Sequence, residues 1–297
     1  MYRFFYICAI AFLFFEIINC MMVLPLPIKL EIENVSFAYW IYKYRWEIRL
    51  ELLVGIIFGI FGAYRKSRLS VVILSTLTVV TIFFCNFKYT ATKMYRRSAP
   101  KLMVNSDTNK VDLDRLIVGM VKNCEARAYP IQFLAYHQRV FDGMCGKRFM
   151  MTYCPVTRTA KAYLTDYEGK NDYYRYLGLI NNDAIYEDFK TGTWWSQSTG
   201  KGIAGKRKGE SLREWPCYVT TLRQWLTYNP ESLILQPDER YADQYKKNES
   251  FEFGEMFEGF EISKRSFKND GIEISDNYKV SSEEENRLYS KNILLFN

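Results

Sequence analysis

The chain has 297 residues, 48% hydrophobic and 25% charged, with a formal net charge of +7. Spread over this length, that charge points toward anionic lipid or a weak polyanion and away from a nucleic-acid binder. His137 is the only histidine, which excludes any site that needs two imidazoles.

Apolar residues crowd the N-terminal third in three runs. The first extends from Phe4 to about Leu26, is interrupted by Glu16, and closes at Pro25 and Pro27. The second spans 50–64 and the third 69–87. A helix needs about 20 residues to cross the hydrocarbon. The third run fits, and the first fits with Glu16 inside the span. The second is short, and upstream Tyr39, Trp40, Tyr42, Tyr44 and Trp46 extend it into the interface. The sequence therefore predicts a transmembrane region at 1–98 with helices at about 4–26, 48–64 and 69–87. A cleaved signal peptide is the rival for the first run; a single basic residue, Arg3, and the internal Glu16 argue against it. Glu16 reads as a carboxylate neutralised or paired inside the bundle rather than as a functional group. Orientation stays open. The turn Arg65-Lys66-Ser67-Arg68 belongs in the cytoplasm by charge, whereas Lys29, Lys43, Arg45, Arg49, Lys88, Lys93, Arg96 and Arg97 share the opposite side and favour the reverse.

After Pro100, short β-type runs alternate with turn signals. Strands are expected at 115–121, 125–129, 161–164, 173–179, 185–189, 193–196 and 232–236, with a hairpin at 140–153 turning at Gly143-Met144-Cys145-Gly146. One helix is expected at 222–228, ended by Asn229-Pro230. The fold class is a membrane-anchored α+β protein: about three transmembrane helices, then a β-dominated globular domain over 100–240. A polar tail follows over 241–297, with helix near 281–291. Cys8, Cys20 and Cys85 lie in apolar runs, and Cys124, Cys145, Cys154 and Cys217 are too widely spaced for a disulfide framework or zinc ribbon.

Four constellations bear on chemistry. Tyr136-His137 and Thr152-Tyr153-Cys154-Pro155 flank the expected hairpin, so His137 leads into one strand and Cys154 ends the other. A thiolate near an imidazole is an activated nucleophile or a soft metal ligand; a buried histidine and an inert cysteine are the plainer reading. Trp194-Trp195-Ser196-Gln197-Ser198-Thr199-Gly200 suits a stacking pocket and a sheet core equally. Gly200 to Lys206 has the glycine and lysine spacing of a phosphate loop. However, Arg207 stands where a magnesium-binding hydroxyl belongs, and no amphipathic helix follows, so the loop predicts no nucleotide. Asp183, Glu187 and Asp188 suit a metal or a general base, and a solvated turn as well. The candidate catalytic pair is His137 and Cys154, with Tyr136, Tyr153, Arg158, Asp183, Trp194, Trp195 and Gln197 as pocket or ligand-binding candidates. No metal set and no cofactor is assigned. The partners expected are the lipid bilayer and a small ligand or protein of unidentified kind.

Several motifs in order carry a resemblance over about 117–245: Glu125 to Ile131, Tyr136-His137-Gln138, Phe141-Asp142, Thr152 to Pro155 with Arg158-Thr159, and residues 176–188. Trp194 to Gly200 with Gly205, Thr221-Leu222 with Trp225-Leu226, and residues 230–238 complete the series. In these the chain resembles the family catalogued as domain of unknown function 3179, whose membrane-anchored members are similar in layout. The resemblance implies no established activity, but it draws attention to His137, Cys154, Trp195 and Gln197. Many members carry two cysteines two residues apart after the Thr-Tyr pair; Thr157 replaces the second here, which argues against a dithiol couple or a two-thiolate clamp. Pro25-Leu26-Pro27 looks like a degraded proline-rich motif of similar proteins. Members with export signals imply an extracytoplasmic domain. Two functional readings follow: a multi-pass membrane protein with a Cys/His-centred pocket, and a non-catalytic membrane-anchored binding or scaffolding module.

Overall fold

The computed structural model describes residues 2–21, 34–88, 101–123, 125–242 and 245, all within one unit, Met1–Met256. Residues 22–26 of the first expected helix, Pro25 to Pro27, Lys29, Lys93, Arg96, Arg97, Cys124 and the expected tail helix at 281–291 lie outside the described residues.

Four helices come first: α1 (Tyr2–Met21), α2 (Val35–Lys43), α3 (Arg45–Lys66) and α4 (Arg68–Phe83), which runs on into a π-helical turn at Phe84–Lys88. Ser67 divides α3 from α4: its backbone is extended and its hydroxyl accepts from the Ser70 N–H, capping α4. Glycines set the approach of α1 to α3. A Cβ at Gly59 would lie 2.6 Å from the Phe5 nitrogen, and one at Gly55 2.5 Å from Cys8 Sγ. Small residues let two backbones meet this closely in apolar bundles. Further along, Glu16 of α1 meets Arg49 of α3, so the two helices are antiparallel. Among the described residues, two helices, Tyr2–Cys20 and Arg68–Phe87, are long and apolar enough to cross a membrane. The third expected span, α3, falls short by that measure because Arg45, Glu47, Arg49 and Glu51 fill its first two turns and Arg65 and Lys66 its last. α2 is a helix of its own, although its Tyr39, Trp40 and Tyr42 were expected only as an interfacial extension of the second span.

The β-rich domain stacks three sheets. The first has the order β1 (Met103–Val104), β15 (Leu233–Leu235), β3 (Glu125–Pro130), β2 (Leu116–Lys122), β14 (Tyr218–Thr221). The second has β13 (Glu214–Trp215), β6 (Thr159–Leu164), β5 (Lys147–Cys154), β4 (Arg139–Met144). The third has β12 (Gly202–Ala204), β11 (Trp194–Ser196), β10 (Asp183–Asp188), β9 (Tyr174–Ile180). A small hairpin, β7 (Asp166–Tyr167) with β8 (Lys170–Asn171), projects beside them. The β15–β3 pair is parallel; the other ladders are antiparallel.

Period-two alternation sorts β5 between two cores. Phe149, Met151 and Tyr153 face the first sheet, where they meet Ile117, Met120, Tyr129 and Trp225. Met150 and Cys154 face the third, among Tyr174, Tyr176, Tyr186 and Trp195. Buried on both sides, β5 is apolar almost without a break, as such strands are. The β4–β5 hairpin turns at Cys145-Gly146, both with positive φ (51° and 71°), the geometry whose twist suits a two-residue connection.

Two helices serve the first core. The expected helix appears as α6 (Leu222–Tyr228), capped by the Thr221 hydroxyl. The other, α5 (Ile131–His137), was not legible in the sequence: seven residues directly after Pro130 are too few to display a period. Within the expected polar tail, Tyr245 is buried in the first core and Tyr241 packs against it.

Candidate functional site

The site residues expected from sequence are distributed over both cores. α5 ends at His137, and Gln138 turns the chain with a left-handed φ of 63°. That turn aims the Gln138 carbonyl at β5 and β10, where it accepts from the Tyr153 N–H at 3.5 Å and the Tyr186 hydroxyl at 2.7 Å. His137 and Cys154 therefore stand one residue to either side of the Gln138–Tyr153 hydrogen bond, on different elements. His137 is 2% exposed; its Nε2 lies 2.7 Å from the Tyr245 hydroxyl, and its ring makes T-shaped contacts with Tyr136 and Tyr241 at 4.9 and 5.5 Å between centroids. Tyr245 is itself fixed, for Gln132 donates to its carbonyl at 2.6 Å and Phe133 packs on its ring at 4.6 Å.

Cys154 ends β5 with no exposed surface. Burial pushes its thiol above the ordinary range, only partly offset by hydrogen bonds from Thr157 and Val156. A desolvated thiol among aromatic rings stays protonated at neutral pH. Cys217 behaves alike: burial raises it to about 11.

Gln197 is also fully buried, and its amide is fully used. Nε2 donates to Thr152 Oγ1 at 3.1 Å and to the Thr159 carbonyl at 3.0 Å; Oε1 accepts from the Thr159 hydroxyl at 2.7 Å. Its backbone accepts from the Tyr163 hydroxyl and donates to the Ala184 carbonyl, each at 2.8 Å. One side chain thus joins the third sheet to the second.

Trp194 and Trp195 point to opposite faces of β11. Trp195 enters the core beside Cys154, donates to Asp188 Oδ2 at 2.8 Å, and carries the Arg207 guanidinium 4.6 Å above its ring. Trp194 packs edge-on against Tyr39 and Tyr42 of α2, at 5.2 and 5.4 Å. Asp183 accepts from the Ser196 hydroxyl and from the Ser198 N–H at 3.1 Å; burial still raises its carboxyl above the usual range. Tyr153 lies in the first core, Tyr136 is half-buried on its rim, and Arg158 is exposed in the β5–β6 turn. The segment 200–206 contains β12, and the chain returns through a turn at 205–209 rather than through a helix.

Three polar groupings have partners that the sequence does not name, although Glu16 was expected to be neutralised or paired inside the bundle. Inside the helix bundle Arg49 donates to Glu16 through Nε at 2.5 Å and Nη2 at 3.0 Å, and to Asn86 Oδ1 at 2.8 Å; Asn86 donates back to Glu16 at 3.1 Å. At the joint between α2 and the third sheet, Arg175 pairs with Glu187 and donates to the Tyr42 hydroxyl at 3.2 Å. In the first core, Asp142 accepts from Tyr129 at 2.6 Å and pairs with Lys101. Glu16 and Arg49 were each visible as charges in or beside apolar runs, but their pairing is non-local.

An open cleft of about 400 Å³ lies at the β4–β5 turn, lined by Glu125, Cys145, Lys147 and Arg148 among others. A cavity of about 20 Å³ lies beside Asp172 and Thr165, room for one water. His137, Cys154 and Gln197 line neither. Among the described residues, no group of three or more histidine, cysteine or acidic side chains is placed to hold a metal ion.

No curated protein and no solved structure matches the chain. A family model described as "Protein of unknown function (DUF3179)" matches residues 98–295, from the end of the helical region through the C-terminal segment. A match over that share of the sequence makes the chain a member of the DUF3179 family.

Proposed function

We propose that the protein is a multi-pass membrane protein whose three long helices anchor the β-rich domain on the extracytoplasmic face, where the domain acts as a non-catalytic binding or scaffolding module. The observation that carries the anchor is the outer surface of the bundle. Ile7, Ile10 and Phe14 of α1, Ile57, Phe58 and Phe61 of α3, and Leu69, Val72 and Val79 of α4 are all exposed. An apolar girdle of this extent does not face water on a soluble protein, whereas lipid covers it without cost. On this reading α3 is the third span, its charged first turns lying where Glu16 neutralises Arg49.

The cationic pole at the α3–α4 turn supports the orientation, against the count of all basic residues, which favours the reverse. Arg3, Lys66 and Arg68 gather at one pole, where Lys66 lies 4.0 Å over the Tyr2 ring and Arg68 5.4 Å over Tyr64. Cations flank the cytoplasmic ends of spans. α1, α3 and α4 then leave the β-rich domain on the other side. A cytoplasm-only reporter fused after Ser67 and an export-dependent reporter fused after Ser98 should both be active. A cytoplasmic signal after Ser98 would refute the orientation, and release of the full chain by alkaline carbonate would refute the anchor.

The module reading draws on the burial of Cys154 and the saturation of Gln197, which suit packing and cross-sheet hydrogen bonding. The alternative, a pocket centred on His137 and Cys154, has one observation in its favour: their positions on either side of the Gln138–Tyr153 bond. Selective alkylation decides between them. The module predicts that Cys154 reacts no faster than Cys217; faster, histidine-dependent labelling of Cys154 would establish the pocket.

A further inference from the structure

We propose that α2 lies in the headgroup layer of the bilayer, with lipid on its outer face and the third sheet on its inner face, so that the β-rich domain is docked on the membrane surface. The proposal rests on the anchor described above and adds a second, in-plane contact with anionic lipid as its partner.

The helix has two distinct faces. Val35, Ala38, Tyr39 and Tyr42 recur at the i, i+3, i+4, i+7 spacing of one face. They pack on Leu177, Ile185, Trp194 and Ala204. The joint is closed by polar contacts as well, the Arg175 guanidinium reaching Tyr42 and Lys208 Nζ donating to Ser36 Oγ at 2.9 Å. α2 therefore moves with the sheet. Its other face presents Phe37 and Trp40, 55% and 52% exposed.

That face continues directly into the girdle. Tyr44, the one residue between α2 and α3, is exposed, as are Trp46 in the first turn of α3 and then Leu50 and Leu53. Tryptophan and tyrosine at the margin of an apolar band have the place and chemistry of interfacial anchors, with a ring for the acyl boundary and a polar edge for the headgroups. Cations mark both ends of α2: Lys208 stands at Ser36, and exposed Lys43 lies 5.5 Å from the Tyr44 ring. Lysines near an anionic surface add electrostatic attraction to it. An apolar aromatic face ending in lysines complements anionic phospholipid better than it does water.

Site-specific photocrosslinking on the full chain tests this. Phe37, Trp40, Val79 and Tyr228 are each replaced by benzoylphenylalanine, in nanodiscs containing phosphatidylcholine and phosphatidylglycerol. Val79 reports the anchor alone, and Tyr228 an exposed aromatic position of the domain. Phospholipid adducts are expected at 37, 40 and 79 and not at 228. At 40, phosphatidylglycerol adducts should exceed the mixing ratio by about twofold, which is the size of a fraction of a kcal/mol. Combined Lys43→Gln and Lys208→Gln substitution should return them to it. Lipid adducts at 79 without any at 37 and 40 would overturn the docking of α2 while leaving the anchor in place. No lipid adduct at 79 would overturn the anchor itself. Adducts to protein at 37 or 40 would overturn the lipid assignment, and enrichment unchanged in the double lysine variant would overturn the role of charge.

Discussion

Replacing Glu16 by leucine should unfold the helix bundle far more readily than replacing Glu16 and Arg49 together. Glu16 has no exposed surface and Arg49 only 6%. The carboxylate receives two guanidinium donors and the Asn86 amide, so its loss leaves a buried cation with the Asn86 oxygen and the Trp46 ring, 4.6 Å away, as its remaining described contacts. Removing one member of a buried pair costs about 3–5 kcal/mol, because the other charge stays desolvated. At about 4 kcal/mol the folding equilibrium constant shifts by nearly three orders of magnitude. Glu16→Leu with Arg49→Met replaces both charges by apolar groups of similar length and should cost less than about 1.5 kcal/mol. The double variant should thus recover most of what the single loses. Unfolding of the purified chain in mixed micelles, followed by far-UV circular dichroism across a denaturing-detergent titration, gives all the corners of this cycle. If Glu16→Leu alone matches the parent, or if the two substitutions simply add, the buried pair does not hold α1 to α3.

Gln197→Leu should destabilise the β-rich domain by about 2–4 kcal/mol, since it strands the Thr152 and Thr159 partners inside; a thermal midpoint within a degree of the parent would refute the cross-sheet role. Gly119→Ala should cost about 1–3 kcal/mol by overpacking, because its Cβ would lie 2.4 Å from the Trp225 ring, and unchanged Trp225 fluorescence with unchanged stability would count against it. Asp172→Asn should leave stability at pH 7 unchanged or higher. Burial raises the Asp172 carboxyl and its Oδ2 has no partner in the structure, so the folded state disfavours its charge. That penalty is present in full above the raised folded pKa and fades as pH falls toward the unfolded carboxyl value. The gap between variant and parent melting curves should therefore close on acidification. For the raised thiols the sign places the loss on the alkaline side. Stability contributed by Cys217 should fall from about pH 9, its unfolded value, to about 11, and Cys217→Ala should flatten that stretch of the pH–stability curve.

Much of this architecture was legible because it is local. Alternation and turn residues placed the β2–β3 and β4–β5 hairpins within a residue or two, since a strand buried on one or two faces displays its period directly. Hydropathy located α1, α3 and α4, whose apolar runs are continuous, but not the short α2. What was lost is short or non-local. α5 has too few residues for a period, and β1 and β13 have two residues each, held by ladders to strands far along the chain. The Arg49–Glu16–Asn86 cluster joins residues 33 and 37 apart, so neither composition nor spacing reveals it. Trp194-Trp195 read as one platform because adjacency in sequence suggests adjacency in space, whereas a strand sends neighbours to opposite faces.

Cys154, Trp195 and Gln197 lie within the motifs by which the chain resembles its family; Cys154 and Trp195 share the core between the second and third sheets, and Gln197 joins those sheets by its bonds to Thr152 and Thr159. His137 belongs to the other side of β5, where α5 and Tyr245 close the first core. The Gln138 carbonyl links the two regions by accepting from Tyr153 on one side and Tyr186 on the other. A left-handed residue costs conformational energy and persists when its surroundings over-determine it. Here they do so through two donors and the Gln138 side chain's own bond to the Ala135 carbonyl at 2.6 Å. Motif residues arranged in this way set the register of three layers against each other. Their substitution should therefore register first as lost stability, and an effect on binding at the surface should scale with that loss.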